Sequence, residues 1–417
     1  MKPTKITLFL FYYFIIIYFI YVALSGIAFP KHSYPSYIIN GFFLIYTIYV
    51  TFKYVEIKRF MVPMYLFFIY LLILIFFSSN FFNSAQTYIK TLIPALFLPI
   101  SFTFIKDINQ LKKFNKILIL FLLLYLINFI LTNFFKIGRT PYSRLDSDFS
   151  LYVGNVFTEG LNSIAYILVI LPLILYLDKK NKKIVIILGV LALVALLLNL
   201  KRISILAVFI GYFFLIFFSK RKSYFIKSIV PIILLLLILY PFYKEPLQYQ
   251  FLNRSSRFTE DFYENEGRYI ETKLVWDEVF SFNSIQHSLF GKEMFNSPGN
   301  YGGGIFGERP LHMDYNSLLF GSGILGLLFY FYYNLVILKY FLKLKKHLPS
   351  KNNLINIMNA TFISVFLMSF IISISGSFGA VTFNTIRSIY LGAILGIFNN
   401  IKFNDNLNKN SNLCLKK

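Results

Sequence analysis

Residues 161–219 read LNSIAYILVILPLILYL-DKKNKK-IVIILGVLALVALLLNL-KR-ISILAVFIGYFFLIFFS: three apolar runs of 17 residues, parted by a lysine-rich hexapeptide and then by two cations. A helix rises about 1.5 Å per residue, so crossing roughly 30 Å of hydrocarbon takes about 17–25 apolar residues. Linkers this short turn the chain straight back, which makes 161–219 a set of hairpinned membrane helices.

The rest of the chain has the same grain. Apolar runs recur at about 6–29, 37–52, 60–78, 86–105, 117–135, 228–243, 314–338, 354–375 and 381–399. Hydrophobic residues make up 57% of the 417, mean hydropathy is +0.65 and only 14% are charged, against roughly 25% in soluble domains. A soluble chain has nowhere to hide so much Phe and Ile. The expected fold is all-α: a polytopic membrane helix bundle of about twelve transmembrane helices with one long helical outer loop. The first run is too long for a signal-peptide core and reads as an uncleaved anchor. The single cysteine, Cys414, excludes an internal disulfide and a cysteine metal site.

A net charge of +23 raises the question of nucleic acid, and the placement of the charges answers it. One alternate set of loops, with the termini, holds 26 cations against four acids; the other holds 15 cations against 14 acids. The first set is expected to be cytoplasmic, both termini included. The excess then serves topology, and no nucleic-acid partner is expected. The chain divides into 1–243 (nine spans, with an outer loop at about 136–160), a long outer loop or cap at 244–313, three spans at 314–400 and a cytoplasmic tail at 401–417. In the cap, GRYIETKLVWDEVFS (267–281) reads as a short helix with Tyr269, Leu274, Trp276 and Phe280 supplying apolar surface, and SPGNYGGG (297–304) as turns.

Cation type sharpens the signal. Eight of ten arginines fall on the outer side: Arg139, Arg144, Arg202, Arg254, Arg257, Arg268, Arg309 and Arg387. Inside, 24 of 26 cations are lysine. The planar five-donor guanidinium suits phosphate and carboxylate recognition, although pairing with outer acids is the plainer role for Arg254, Arg257 and Arg309. Lys201 and Arg202 are the sharper pair. They occupy an outer hairpin against the positive-inside rule, with no nearby acid, and an anionic ligand would offset them. His312, in RPLHMDYNSLLFGSGILGLLFYF, stands just before a helix with Asp314 two residues on. A histidine at the membrane boundary is placed to accept a proton or to donate to an oxyanion. Gly321, Gly323 and Gly326 spell G-x-G-x-x-G inside a membrane run, where close helix packing is the better account than a dinucleotide loop. No metal-binding or Walker motif is present, and the first outer loop (about 30–36) lacks the carboxylate that some lipid-linked glycosyltransferases place there.

Three stretches resemble the bacterial O-antigen polymerase (Wzy) and O-antigen ligase (WaaL) superfamily: KRISILAVFIG with Arg202, GRYIETKLVW with Arg268, and LHMDYNSLLFGSGILGLLFYF, which is similar to the family's H-x-D/N-aromatic run. An R-x10-G repeat described for polymerases is not met, since Arg144 and Gly154 stand one residue too close. The resemblance implies a multi-pass protein of the bacterial cytoplasmic membrane whose active site lies on the periplasmic side. Donor and acceptor would be glycans on undecaprenyl diphosphate, with no cofactor or metal. Arg202, Arg268 and His312 would be catalytic. Lys201, Arg139, Arg144, Asp314, Tyr315 and Trp276 would bind diphosphate or glycan. A chain-length regulator and a flippase are the implied protein partners. The polymerase is the favoured member and the ligase the alternative. A lipid-linked oligosaccharide flippase, from another class, would carry ionisable residues at mid-helix and repeated halves.

Overall fold

The computed structural model describes residues 4–24, 34–136, 159–198, 201–219, scattered positions between 223 and 248, 267–305, 307, 310–349, 352–376 and 378–414. Among these residues the protein is helical throughout, without strands. The helices are α1 (Lys5–Leu24), α2 (Tyr34–Tyr54), α3 (Val62–Ile75), α4 (Phe81–Phe104), α5 (Ile108–Phe134), α6 (Glu159–Leu177), α7 (Lys182–Leu198), α8 (Arg202–Phe218), α9 (Gly267–Phe280), the short α10 (Ile285–Phe290), α11 (Asp314–Lys345), α12 (Asn353–Ser373) and α13 (Val381–Cys414). Seven of them are long and apolar enough to cross a membrane: α1, α4, α5, α6, α11, α12 and α13. Each coincides with an apolar run. The run at 228–243 lies mostly outside the described residues. The helical segment of α13 runs on to Cys414, through most of the stretch expected as a tail; no Gly or Pro follows Gly396 to stop it.

The interior is built on α6, α12 and the membrane-length part of α13, which are buried along nearly their whole length. In lipid there is no hydrophobic gain from bringing two apolar helices together, so close approach through small residues and hydrogen bonds must supply the contact. The α4–α13 interface shows both. A Cβ on Gly396 would lie 2.6 Å from the Phe102 carbonyl oxygen and 2.7 Å from that of Ile105, and one on Gly392 would overlap Ser101 and the Leu98 carbonyl. The two glycines are four residues apart and let the backbones touch. Pro94 and Pro99 interrupt the hydrogen bonding of α4, and side chains use the carbonyls nearby: Ser101 Oγ donates to Phe97 O (2.6 Å) and Thr103 Oγ1 to Pro99 O (2.9 Å). Tyr390 on α13 donates its hydroxyl to Asn115 on α5. Outward-facing Phe9, Phe42, Phe52, Phe209 and Phe217 stay exposed, as lipid contact requires.

The glycines at 321–326 combine the expected close packing with a break in the helix. Gly323 sits at φ +63°, ψ −169° and breaks α11 into two pieces. Tyr70 of α3 donates to the carbonyl of Ser322 at the break (2.8 Å). A Cβ on Gly323 would overlap the backbone of Leu289 and Phe290, and Lys292 N donates to Phe320 O at 2.8 Å. Gly321 and Gly323 therefore admit the segment 289–294, the end of α10 included, against the start of α11, and Gly326 faces Tyr70 of α3. Glu293 completes that anchor by accepting from Ser78 Oγ and Ser79 N, both at 3.1 Å.

Gly396→Leu is expected to overpack the α4–α13 contact at a cost of about 1–3 kcal/mol or more. Gly41→Leu, where an added Cβ meets nothing within 4 Å, serves as the control. Thermal unfolding of the detergent-solubilised variants should show a lowered transition for the first and none for the second; equal transitions would contradict the close-packing account.

Candidate functional site

The site begins with α9. Its buried positions are Glu271, Val275 and Val279, spaced i, i+4, i+8 along one stripe. Tyr269, Trp276 and Phe280, expected to supply apolar surface, are about half exposed, with Trp276 and Phe280 ring to ring at 5.5 Å, and Leu274 lies partly buried beside Gly302. A carboxylate takes a place in the inward stripe that an apolar residue would normally hold.

A fully buried carboxylate is costly unless paired. Glu271 is 0% exposed, and His312 meets it twice: Nδ1 lies 3.2 Å from Oε1, and the His312 backbone N–H donates to Oε2 at 3.4 Å. The contact turns Nδ1 toward the Glu271 carboxylate, which leaves Nε2 as the ring nitrogen not directed at it. The His312 side chain keeps about a third of its surface exposed. Beside this pair, Asn316 Nδ2 donates to Thr272 Oγ1 (2.8 Å), and Thr272 Oγ1 donates to Arg268 O (2.8 Å). Glu271 and Thr272 thereby latch α9 onto the start of α11.

The turn between α12 and α13 closes the site from beneath. Gly376 stands at φ +80°, and a Cβ there would overlap the His312 carbonyl oxygen. Phe378 N donates to Asp314 Oδ1 at 3.0 Å, while Phe378 O accepts from Thr91 of α4 at 3.2 Å. Asp314 is 3% exposed and lies within electrostatic reach of Arg387. The Tyr315 hydroxyl donates to Phe370 O at 2.8 Å, which places that side chain in the packing between α11 and α12.

Arg202 stands exposed at the first position of α8, with Lys201 as the preceding cap residue, half-buried. Ser204 Oγ, one turn in from that end, donates to Asn162 of α6 at 2.6 Å. Four residues further along α6, Tyr166 stacks on Phe383 of α13 at 6.0 Å and neighbours Arg387. These links carry the start of α8 to the same end of the bundle as Asp314 and His312. Arg268 is exposed in the first turn of α9, three residues before Glu271. The structure thus joins His312, Glu271 and Asp314 through one set of contacts and brings the α8 start to their end of the bundle. Arg139, Arg144, Arg254, Arg257 and Arg309 lie outside the described residues. Among the described residues no group of three or more His, Cys, Asp or Glu is arranged to hold a metal ion.

Two residues of this end were not singled out as site residues in the sequence. Glu271 was signalled only by being an acid on an otherwise apolar stripe. Arg387 counts as a helix-end arginine by position, yet it stands six residues into α13, about 9 Å below the helix start. A charge drawn into the hydrocarbon costs roughly 2.5–3.5 kcal/mol even on the lenient scale, so its retention there is a functional signal. Comparison with protein-family models and with curated proteins gives no match.

Glu271→Ala removes one partner of the latch and leaves the facing groups of His312 without it, at about 1–3 kcal/mol. Amide hydrogen exchange across 267–280 should rise about tenfold or more, with α12 unaffected; unaltered exchange in α9 would remove Glu271 from its role as the latch.

Proposed function

We propose that the chain is an integral membrane glycosyltransferase of about twelve spans, with both termini cytoplasmic, that takes a glycan from a polyprenyl-diphosphate lipid on the outer face of a bacterial cytoplasmic membrane. Within that class we read it as a polymerase of the O-antigen type, joining undecaprenyl-diphosphate-linked repeat units of a surface polysaccharide. The observation that carries the reading is the His312 imidazole backed by the buried Glu271, at the end of the bundle where the helix-start cations Lys201 and Arg202 also stand. The resemblance of the Arg202, Arg268 and His312 stretches supports it.

In this reading Nε2 of His312 takes the proton of an acceptor sugar hydroxyl, and the oxygen attacks the anomeric carbon of the donor. The bond from that carbon to the phosphate oxygen breaks, and lipid diphosphate leaves with the electron pair. Negative charge grows on the diphosphate as the bond lengthens. Arginines aimed at it stabilise the transition state more than the ground state. Hydrogen bonds to charged groups are worth roughly 1.5–3 kcal/mol each, so Arg202 and Arg268 together would account for about a thousandfold in rate or more. Glu271 stabilises the imidazolium that forms. Trp276 offers a half-exposed indole to a sugar face. Lys201 and Asp314 would complete the polar surroundings of the proposed donor site, and the resemblance implies the same role for Arg139 and Arg144, which lie outside the described residues. The diphosphate bond itself supplies the driving force, which suits a compartment without ATP.

Arg202→Ala, Arg268→Ala and His312→Ala are each expected to abolish long glycan chains on gels while protein level and single-unit transfer persist. Glu271→Gln should slow polymerisation by about 10²-fold or more, because the imidazolium loses its counter-charge. Wild-type chain lengths in the three alanine variants would overturn the assignment. Deleting the gene separates the neighbouring activities: one repeat per core marks a polymerase, bare core with lipid-linked polymer a ligase, and repeat units trapped inside a flippase.

A further inference from the structure

Arg387 is used by neither the His312–Glu271 pair nor the proposed roles of Arg202 and Arg268. It lies inside the bundle, surrounded by Tyr166 of α6, Tyr315, Tyr330 and Tyr333 of α11, and Asp314. Although enclosed in this way, part of its side chain remains accessible. Among the described residues its guanidinium makes no hydrogen bond and no ion pair, the nearby Asp314 included. A second group beside it has the same deficit. The hydroxyl of Tyr166, on a fully buried ring, has no hydrogen-bond partner among the described residues. An arginine held in low dielectric with its donors unspent, next to a buried phenol with its own donor unspent, is complementary to an oxyanion with several acceptor oxygens.

We propose that Arg387 and Tyr166 form an anion site within the bundle that takes a phosphate group of a membrane-borne lipid. The guanidinium donates to two phosphate oxygens and the Tyr166 hydroxyl to one of them. Asp314, engaged by Phe378 N, sets an upper limit on affinity by repelling the anion, which favours release once the phosphate has served. The identity of the lipid as the polyprenyl diphosphate rests on the function proposed above; the anion chemistry does not. Depth in the bundle supports a ligand that enters with its acyl or prenyl chain in the membrane.

The test uses the purified full chain in nanodiscs and follows its thermal unfolding as inorganic pyrophosphate is added. Pyrophosphate is expected to raise the transition of the wild type. Arg387→Gln should weaken that binding about tenfold or more, Tyr166→Phe several-fold, and Arg387→Lys less than Arg387→Gln. Should Arg387→Gln fail to fold, Asp314→Asn decides the matter: it keeps the acceptor for Phe378 N, removes the repulsion and should tighten pyrophosphate binding several-fold. Undiminished binding by Arg387→Gln, or binding by Asp314→Asn that is unchanged or weaker, would overturn the site. Nanodiscs of neutral lipid with and without phosphatidylglycerol, or with undecaprenyl diphosphate, separate the two lipid sources. Stabilisation by both through Arg387 means a general phosphate site, and by undecaprenyl diphosphate alone a donor site; either supports the proposal. Stabilisation by neither overturns it. Normal glycan chains in the His312→Ala strain alongside Arg387-dependent binding would instead remove the proposed function and leave the anion site standing.

Discussion

Glu271 is a carboxylate without access to water, and the arrangement of its end of the bundle follows from satisfying it. Its oxygens draw in both the ring and the backbone of His312, which fixes where the chain must be two residues before α11 begins. That position can be reached only if nothing bulky stands under it, hence Gly376 below the His312 carbonyl. The turn carrying Gly376 is held in place by Phe378, whose N–H serves Asp314 and whose carbonyl serves Thr91. One buried charge therefore aligns α9, α11, the turn before α13, and α4. The same constraint orients an imidazole, so the polar site and the structural clasp are a single network.

The bundle beneath is held by a different device. Backbone contact at Gly392 and Gly396 brings α13 against α4 more closely than any side chain would permit, and helix α6 fills the centre from the other side. Rigid seating of α13 matters to the His312 end of the bundle because Arg387 stands on it. An unspent guanidinium can be held about 9 Å below the helix start only by helices that leave no easy route to another position. The break at Gly323 lets the first turns of α11 leave the direction of the membrane-crossing part and meet the segment 289–294, which is itself tied to the end of α3 through Glu293. The described part of the long loop is thus secured at two points, by Glu293 at Ser78 and Ser79 and by Glu271 at His312.

Much of the architecture is legible in the residues. Apart from the run at 228–243, which lies mostly outside the described residues, the apolar runs coincide with observed helices, and the short helix expected at 267–281 is found at 267–280. His312 and Arg202 were recognisable by type and position: a titratable ring at the mouth of a span, and a cation where the charge rule disfavours one. Glu271 was not, because an acid in a loop helix is ordinary until its helix is seen to turn that face inward. The apolar residues of α9 say that the helix carries apolar surface but not which stripe turns inward, and the helix buries the one that lets Glu271 reach its partner. Likewise the glycine motif at 321–326 indicates close packing but not the break at Gly323, and Gly392 and Gly396, which pack two long helices together, stand among many small residues without a signal of their own.

Apolar run length and the partition of lysine from arginine were enough to establish a membrane helix bundle with two chemically different ends. Both properties are local and one-dimensional: hydrocarbon thickness sets how long a run must be, and the charge of each short linker is read directly along the chain. Which polar groups meet inside was decided by the way helix faces were brought together. Glu271 and His312 are 41 residues apart in sequence, and Tyr166 and Arg387 are 221 apart (387 − 166), yet each pair meets. Their pairing depends on the rotation of each helix about its axis and on glycines that set the separation between backbones, and neither quantity is written at any one position of the sequence.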